Sequence, residues 1–224
     1  MWVPVAIGCW VLLMLAMVVF HTAYSRRRMR SLRQAARELG FEFKDSGKPF
    51  AGTDVQGLAI LRDDPLTTVS DILTGQYGGC SMMVFDVAWC DESAENTALT
   101  TCAAFRSVMG SWPPFQITAK DAFERIRNLG AKKPDFADGA PKFAKRFSLH
   151  CQDDSEARKL FTPARLEDLR LRLGRFCIEG SADWILIYRP GVKVSANKLA
   201  AFVDATSALA SVLLPENSFF LPAA

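Results

Sequence analysis

The chain is poor in histidine, with only His21 and His150 among 224 residues. Only two histidines are there to help build a metal site, and any imidazole acid–base chemistry in the folded part rests on His150. Also missing is any CxxC pair: the six cysteines, Cys9, Cys80, Cys90, Cys102, Cys151 and Cys177, stand far apart. That spacing argues against a cysteine metal site. An even count is compatible with disulfides, but the chain is longer than disulfide-dependent scaffolds usually are. Most of these cysteines fall in strand-like runs, where a reduced thiol behaves as a small buried hydrophobe. No metal and no cofactor is expected.

There is also no charged side chain from Met1 to Phe20. The net charge of +3 comes largely from one cluster, Arg26, Arg27, Arg28, Arg30 and Arg33, without which the balance would be slightly acidic. A nucleic-acid-binding domain spreads its basic residues over a folded face, so no nucleic-acid partner is expected. Hydrophobic residues make up 50% of the chain, and their excess sits at the same end as the arginines.

A run of this length and polarity matches the roughly 20 apolar residues that cross a hydrocarbon core. Residues 1–24 are therefore expected to be a transmembrane anchor, with the lipid bilayer as partner. The arginines follow the run, and positive residues stay on the cytoplasmic side. The expected location is the inner (plasma) membrane of a bacterium, single-pass, with the N-terminus out and the domain cytoplasmic. A cleaved signal peptide is the alternative, since Ala23-Tyr24-Ser25 imitates a small-x-small cleavage site, but its positive charges would precede the core. Residues 25–40 are expected to form a basic juxtamembrane helix. Leu32, Ala35, Ala36 and Leu39 recur at helical spacing, and Gly40 supplies a left-handed cap. Arg26, Arg27, Arg28, Arg30 and Arg33 are the candidate membrane-surface residues, able to contact anionic headgroups.

Residues 41–224 are expected to fold as one α+β domain, a mixed, mainly antiparallel sheet with amphipathic helices. Alternation marks Phe41 to Asp45, Cys80 to Cys90 and Thr97 to Ser107 as strands, with a further short strand at Leu58 to Leu61. Gly75 to Gly79 reads as a turn; it lacks the spacing and following helix of a phosphate-binding loop. Trp112-Pro113-Pro114 reads as a break, with Thr118 capping a helix that Gly130 closes. Phe143 to Cys151 alternates as a strand. Asp153 with Glu156 has the capping-box pattern of a short helix, and Thr162-Pro163 opens another that carries Leu166, Leu169 and Leu173. Arg175 to Gly180 and Trp184 to Arg189 form a hairpin. Ser195 caps a final helix.

Few residues suggest chemistry. His150 beside Cys151 invites a thiol–imidazole reading, but neighbours on a strand point to opposite faces, so His150 is expected at the surface. Asp86 lies inside the clearest strand and is expected to face solvent or bind a loop; the sharper reading is a buried functional carboxylate with a partner the sequence does not identify. Glu179 is a second such carboxylate. Asp63-Asp64 and Asp153-Asp154 are explained by turns and caps.

The run from Phe143 through Ser148, Leu149, His150, Cys151, Asp153, Glu156, Phe161, Thr162 and Pro163 to Leu166, together with Ile178 to Tyr188, resembles a bacterial family of membrane-anchored proteins whose domain has no known function. Gly57 to Trp89 follows the same pattern more loosely. The resemblance implies an envelope-associated protein and transfers no catalytic residue. Members often carry two anchor helices, where this chain has one apolar run. The leading expectation is a non-catalytic binding or scaffold domain at the cytoplasmic face of the inner membrane, with a protein partner there. The alternatives are a membrane-tethered enzyme using Asp86 or Glu179, and an accessory subunit of an envelope complex contacting its neighbours through exposed Trp112 and Phe115.

Overall fold

A computed structural model describes residues 3–46, 58–61, 67–90, 97–107, 112–120, 139–151 and 153–214. Its first element, α1 (Val3–Glu38), is one unbroken helix of 36 residues. Leu32 and Ala36, one turn apart, are buried, and Ala35 and Leu39 pack beside them. The helix ends as its sequence indicates, with Gly40 at φ 72° in the left-handed region that glycine adopts without cost.

Eight strands follow: β1 (Glu42–Ser46), β2 (Thr68–Tyr77), β3 (Cys80–Cys90), β4 (Thr97–Arg106), β5 (Trp112–Ala119), β6 (Phe147–Cys151), β7 (Cys177–Ala182) and β8 (Trp184–Tyr188). They form one sheet in the order β1-β2-β3-β4-β8-β7-β5-β6, and every pairing is antiparallel. The first four are a meander; the hairpin β7–β8 then joins the two halves through β4. The helices α2 (Pro141–Arg146), α3 (Asp154–Leu160), α4 (Pro163–Arg172) and α5 (Leu199–Leu213) share one core with α1. Val84, Phe105, Ile117, Ile178 and Ile187 on the sheet meet Phe143, Ala157, Leu169 and Val203 on the helices. The opposite sheet face carries a second core of Phe85, Val87, Cys102, Leu186 and Tyr188, against which Leu58, Ile60 and Leu61 pack. The antiparallel α+β domain is thus as expected.

The membrane anchor is not. Among the described residues no helix is long and apolar enough to cross a membrane. Crossing a hydrocarbon core about 30 Å thick takes roughly 20 consecutive apolar residues in one helix. On that finding the transmembrane segment over 1–24 is withdrawn. The single-pass inner-membrane topology and the bilayer as partner go with it.

Several local expectations change for identifiable reasons. Leu58 to Leu61 is not a strand: Ala59–Leu61 is a single 3-10 turn. The glycine cluster is mostly strand, since β2 runs to Tyr77 and the turn is Gly78-Gly79 alone, both at positive φ. Pro113 and Pro114 do not break the chain. They lie in β5 where its register against β7 shifts between Trp112 and Phe115, and a bulge tolerates residues that cannot donate to the ladder. Thr118 caps no helix; it is a fully buried member of β5 opposite Ser148, and residues 121–138, where that helix was expected, lie outside the described set. Phe143 to Arg146 is helix, opened by Pro141 at its first turn. Phe143 and Phe147 stack with centroids 5.2 Å apart, an i,i+4 spacing that also satisfies a two-residue alternation. Ser195 binds Asn197 Oδ1 rather than a backbone amide, and the helix behind it begins with a 3-10 turn, Ala196–Lys198.

Other local readings agree. Asp153 Oδ1 accepts from the amides of Ser155 and Glu156 at 2.8 and 3.1 Å, and these bonds hold its carboxyl below the usual range. Thr162 caps α4, with Pro163 in its first turn. No disulfide joins the described cysteine side chains Cys80, Cys102, Cys151 and Cys177.

Candidate functional site

The described residues bring ionisable side chains together at two buried places, one on each face of the sheet. The first is centred on Asp86, 2% exposed, which projects from β3 toward α1. Its Oδ2 accepts from Arg28 Nη2 at 2.6 Å and lies 3.0 Å from Lys193 Nζ. Its Oδ1 accepts from Thr101 Oγ1 at 2.5 Å. Asp86 is therefore buried rather than solvent-facing; Lys193 belongs to the loop after β8, and Arg28 lies 58 residues away in sequence.

A second carboxylate joins it through a backbone device. Strict alternation along β2 would send Asp71 to the face opposite Ser70, away from Arg28. The register of β2 against β3 shifts between Ser70 and Leu73, and Asp71 adopts φ 51°. A bulge of this kind re-aims one side chain, and Asp71 Oδ2 accepts from Arg28 Nε at 3.3 Å with Lys193 Nζ at 3.8 Å. A left-handed conformation costs a non-glycine residue about 1–2 kcal/mol, so the cluster holds Asp71 against a local preference. Burial, and next the neighbouring Asp86, push the Asp71 carboxyl above its ordinary value, outweighing Arg28 and Lys193.

The loop after β8 completes the site. Arg28 Nη1 donates to Val194 O at 3.2 Å. The Val194 amide donates to Thr101 Oγ1 at 2.8 Å, the Thr101 amide to Val192 O at 3.0 Å, and the Gly191 amide to Thr100 Oγ1 at 3.0 Å. Four elements thus meet at two acids and two cations, with charges balanced and the Asp86 oxygens engaged from within. Through Arg28 the cluster ties α1 to β3 and to the loop after β8.

The five arginines picked out by their clustering are not equivalent. Arg28 turns inward, its side chain 16% exposed, because it lies one turn before Leu32 and two before Ala36 on the buried stripe. Arg26, Arg27 and Arg30 are exposed. Arg33 is exposed as well, with its guanidinium 5.4 Å from the centre of the Phe43 ring.

The second place lies on the opposite face. Glu179, 1% exposed, accepts through Oε1 from Tyr188 Oη at 2.5 Å and Gln116 Nε2 at 3.1 Å. Its Oε2 accepts from the Ile60 amide at 3.3 Å, which ties the 3-10 turn to the sheet. Burial, then Glu179, pushes the Tyr188 hydroxyl well above its ordinary value; burial does the same to Cys102. Gln116 is in register with Glu179 on one side and His150 on the other. His150 is 4% exposed, so its expected surface position is corrected: it sits within β6, facing this second core. Phe115 is buried too, edge-on to Phe161 at 4.9 Å, and offers no exposed contact; Trp112 is half-buried beside it. Among the described residues no group of three metal-ligating side chains forms.

The remaining unusual surface is on α1. Trp10, Leu12, Leu13, Met14, Leu15, Met17, Val18, Val19, Phe20 and Tyr24 are all exposed, Phe20 at 74%.

No family model matches the chain, and no curated protein matches it either. The expected membership of a membrane-anchored family without known function is therefore withdrawn. A solved structure is similar: the crystal structure of the mycobacterial trehalose monomycolate transport factor A, TtfA, at TM-score 0.56 and 14% identity, covering 85% of this chain and 97% of that one. At this identity the likeness shows a shared fold.

Proposed function

We propose that this protein is an accessory subunit of a transport assembly, engaging a protein partner through the N-terminal half of α1. The observation that carries this reading is the exposed apolar surface from Trp10 to Tyr24. Apolar patches of such extent on a folded protein mark interaction sites. Arg26, Arg27 and Arg30 extend the surface with positive charge, which suits a partner whose apolar groove ends in an acidic rim. The fold shared with a transport factor supports an accessory role.

The inward ties of Asp86 and Glu179 support an adaptor over an enzyme using these carboxylates. The bilayer-anchored scaffold expected from the sequence is replaced, because among the described residues no helix is long and apolar enough to cross a membrane. The test is Val18→Asp in the full chain, read by native electrophoresis of extracts from the source organism. The substituted chain is expected to leave a high-mass particle that the wild type occupies, with its thermal midpoint unchanged. A wild-type chain that migrates alone contradicts the proposal.

A further inference from the structure

Two cations compete for one oxygen in the Asp86 cluster. Arg28 Nη2 lies 2.6 Å and Lys193 Nζ 3.0 Å from the same Asp86 Oδ2, and both also face Asp71 Oδ2. They differ in what carries them. Arg28 belongs to α1, while Lys193 belongs to the loop that Thr100 and Thr101 strap to β4. Withdrawing α1 would remove Arg28 and leave Lys193 in place.

Removing one partner of a buried ion pair normally strands the other charge and destabilises the whole domain. Here it would not, because Asp86 keeps a cation at hydrogen-bonding distance and the Thr101 hydroxyl on its second oxygen. We propose that Lys193 is a stand-in counter-ion that makes the seating of α1 reversible, so that the helix can leave the sheet without unfolding the strands beneath it. The arrangement gives α1 two states, seated on Arg28 or released with Lys193 holding Asp86, and a ligand that prefers one state shifts the balance. This regulation rests on the reading that α1 engages a partner, but its test needs none, so the two can fail separately.

The experiment is hydrogen exchange on the full chain and on Arg28→Ala, Lys193→Met and the double variant. Arg28→Ala is expected to speed exchange of amides 28–36 about tenfold to a hundredfold, the loss of a charge-assisted bond, with β3 and β4 as protected as in the wild type. Lys193→Met alone is expected to leave both regions nearly unchanged. The double variant is expected to lose protection in β3 and β4 by more than the two single effects together. Arg28→Ala combined with Lys193→Arg keeps a cation beside Asp86 and is expected to match Arg28→Ala alone; it remains informative if the double variant does not fold. Loss of β3 and β4 protection in Arg28→Ala, or in its Lys193→Arg combination, would overturn the proposal. So would additive effects in the double variant.

Discussion

Replacing Asp86 by asparagine removes a buried charge while keeping shape, and its effect follows from the neighbours. In the wild type two acids face two cations. In Asp86→Asn, Arg28 and Lys193 share Asp71 alone, at 3.3 and 3.8 Å, longer than the 2.6 and 3.0 Å contacts they lose. The Thr101 hydroxyl can still donate to the asparagine carbonyl, so that bond survives. What remains is an excess positive charge around a site whose acid was 3% exposed. Leaving a buried charge uncompensated costs about 3–5 kcal/mol. Arg28 and Lys193 retain partial access to solvent, at 16% and 30%, which places the expected loss near the lower end, about 3 kcal/mol. Urea unfolding of the full chain, followed by tryptophan fluorescence, measures it. A loss below about 0.5 kcal/mol, the range of an ordinary surface substitution, would refute the view that the cluster holds the fold.

Asp71→Asn should behave differently. The folded state raises the Asp71 pKa, so stability tied to its proton is full below the ordinary value of 3.8 and is lost as pH rises through the raised one. The permanently neutral asparagine should lose this part of the pH dependence and be tolerated at pH 7 far better than Asp86→Asn, as paired unfolding curves at pH 4 and 7 would show. Ala182, the last residue of β7, sits at φ 50° where the hairpin turns tightly into β8 and Ser181 pairs with Trp184. Ala182→Gly should therefore stabilise the domain by about 1 kcal/mol, seen as a higher thermal midpoint.

Much of the fold was legible because its signals are local. Asp153 and Thr162-Pro163 cap helices through contacts within three residues, and Gly40 ends α1 by its own backbone freedom. Phe143 misled because one aromatic spacing fits both a strand and a helical turn, and Thr118 because a buried threonine in a strand has the same sequence signature as a cap. The clusters were legible only in part. Asp86 and Glu179 stand out as acids in apolar strands, but their partners come from distant elements. Arg28 could have been separated from the other arginines, since 28, 32 and 36 fall on one helical stripe. Asp71 could not, because its position depends on a bulge set by pairing with β3. Lys193 gave no signal, since its role depends on where the loop after β8 crosses β4.

The most direct test is to place a photoreactive amino acid at Leu15, 57% exposed, and irradiate living cells of the source organism. A partner seated on α1 predicts a discrete protein adduct of fixed mass, lost when Val18→Asp is added. Adducts to lipid alone would contradict the proposed protein partner and return the apolar helix to a bilayer.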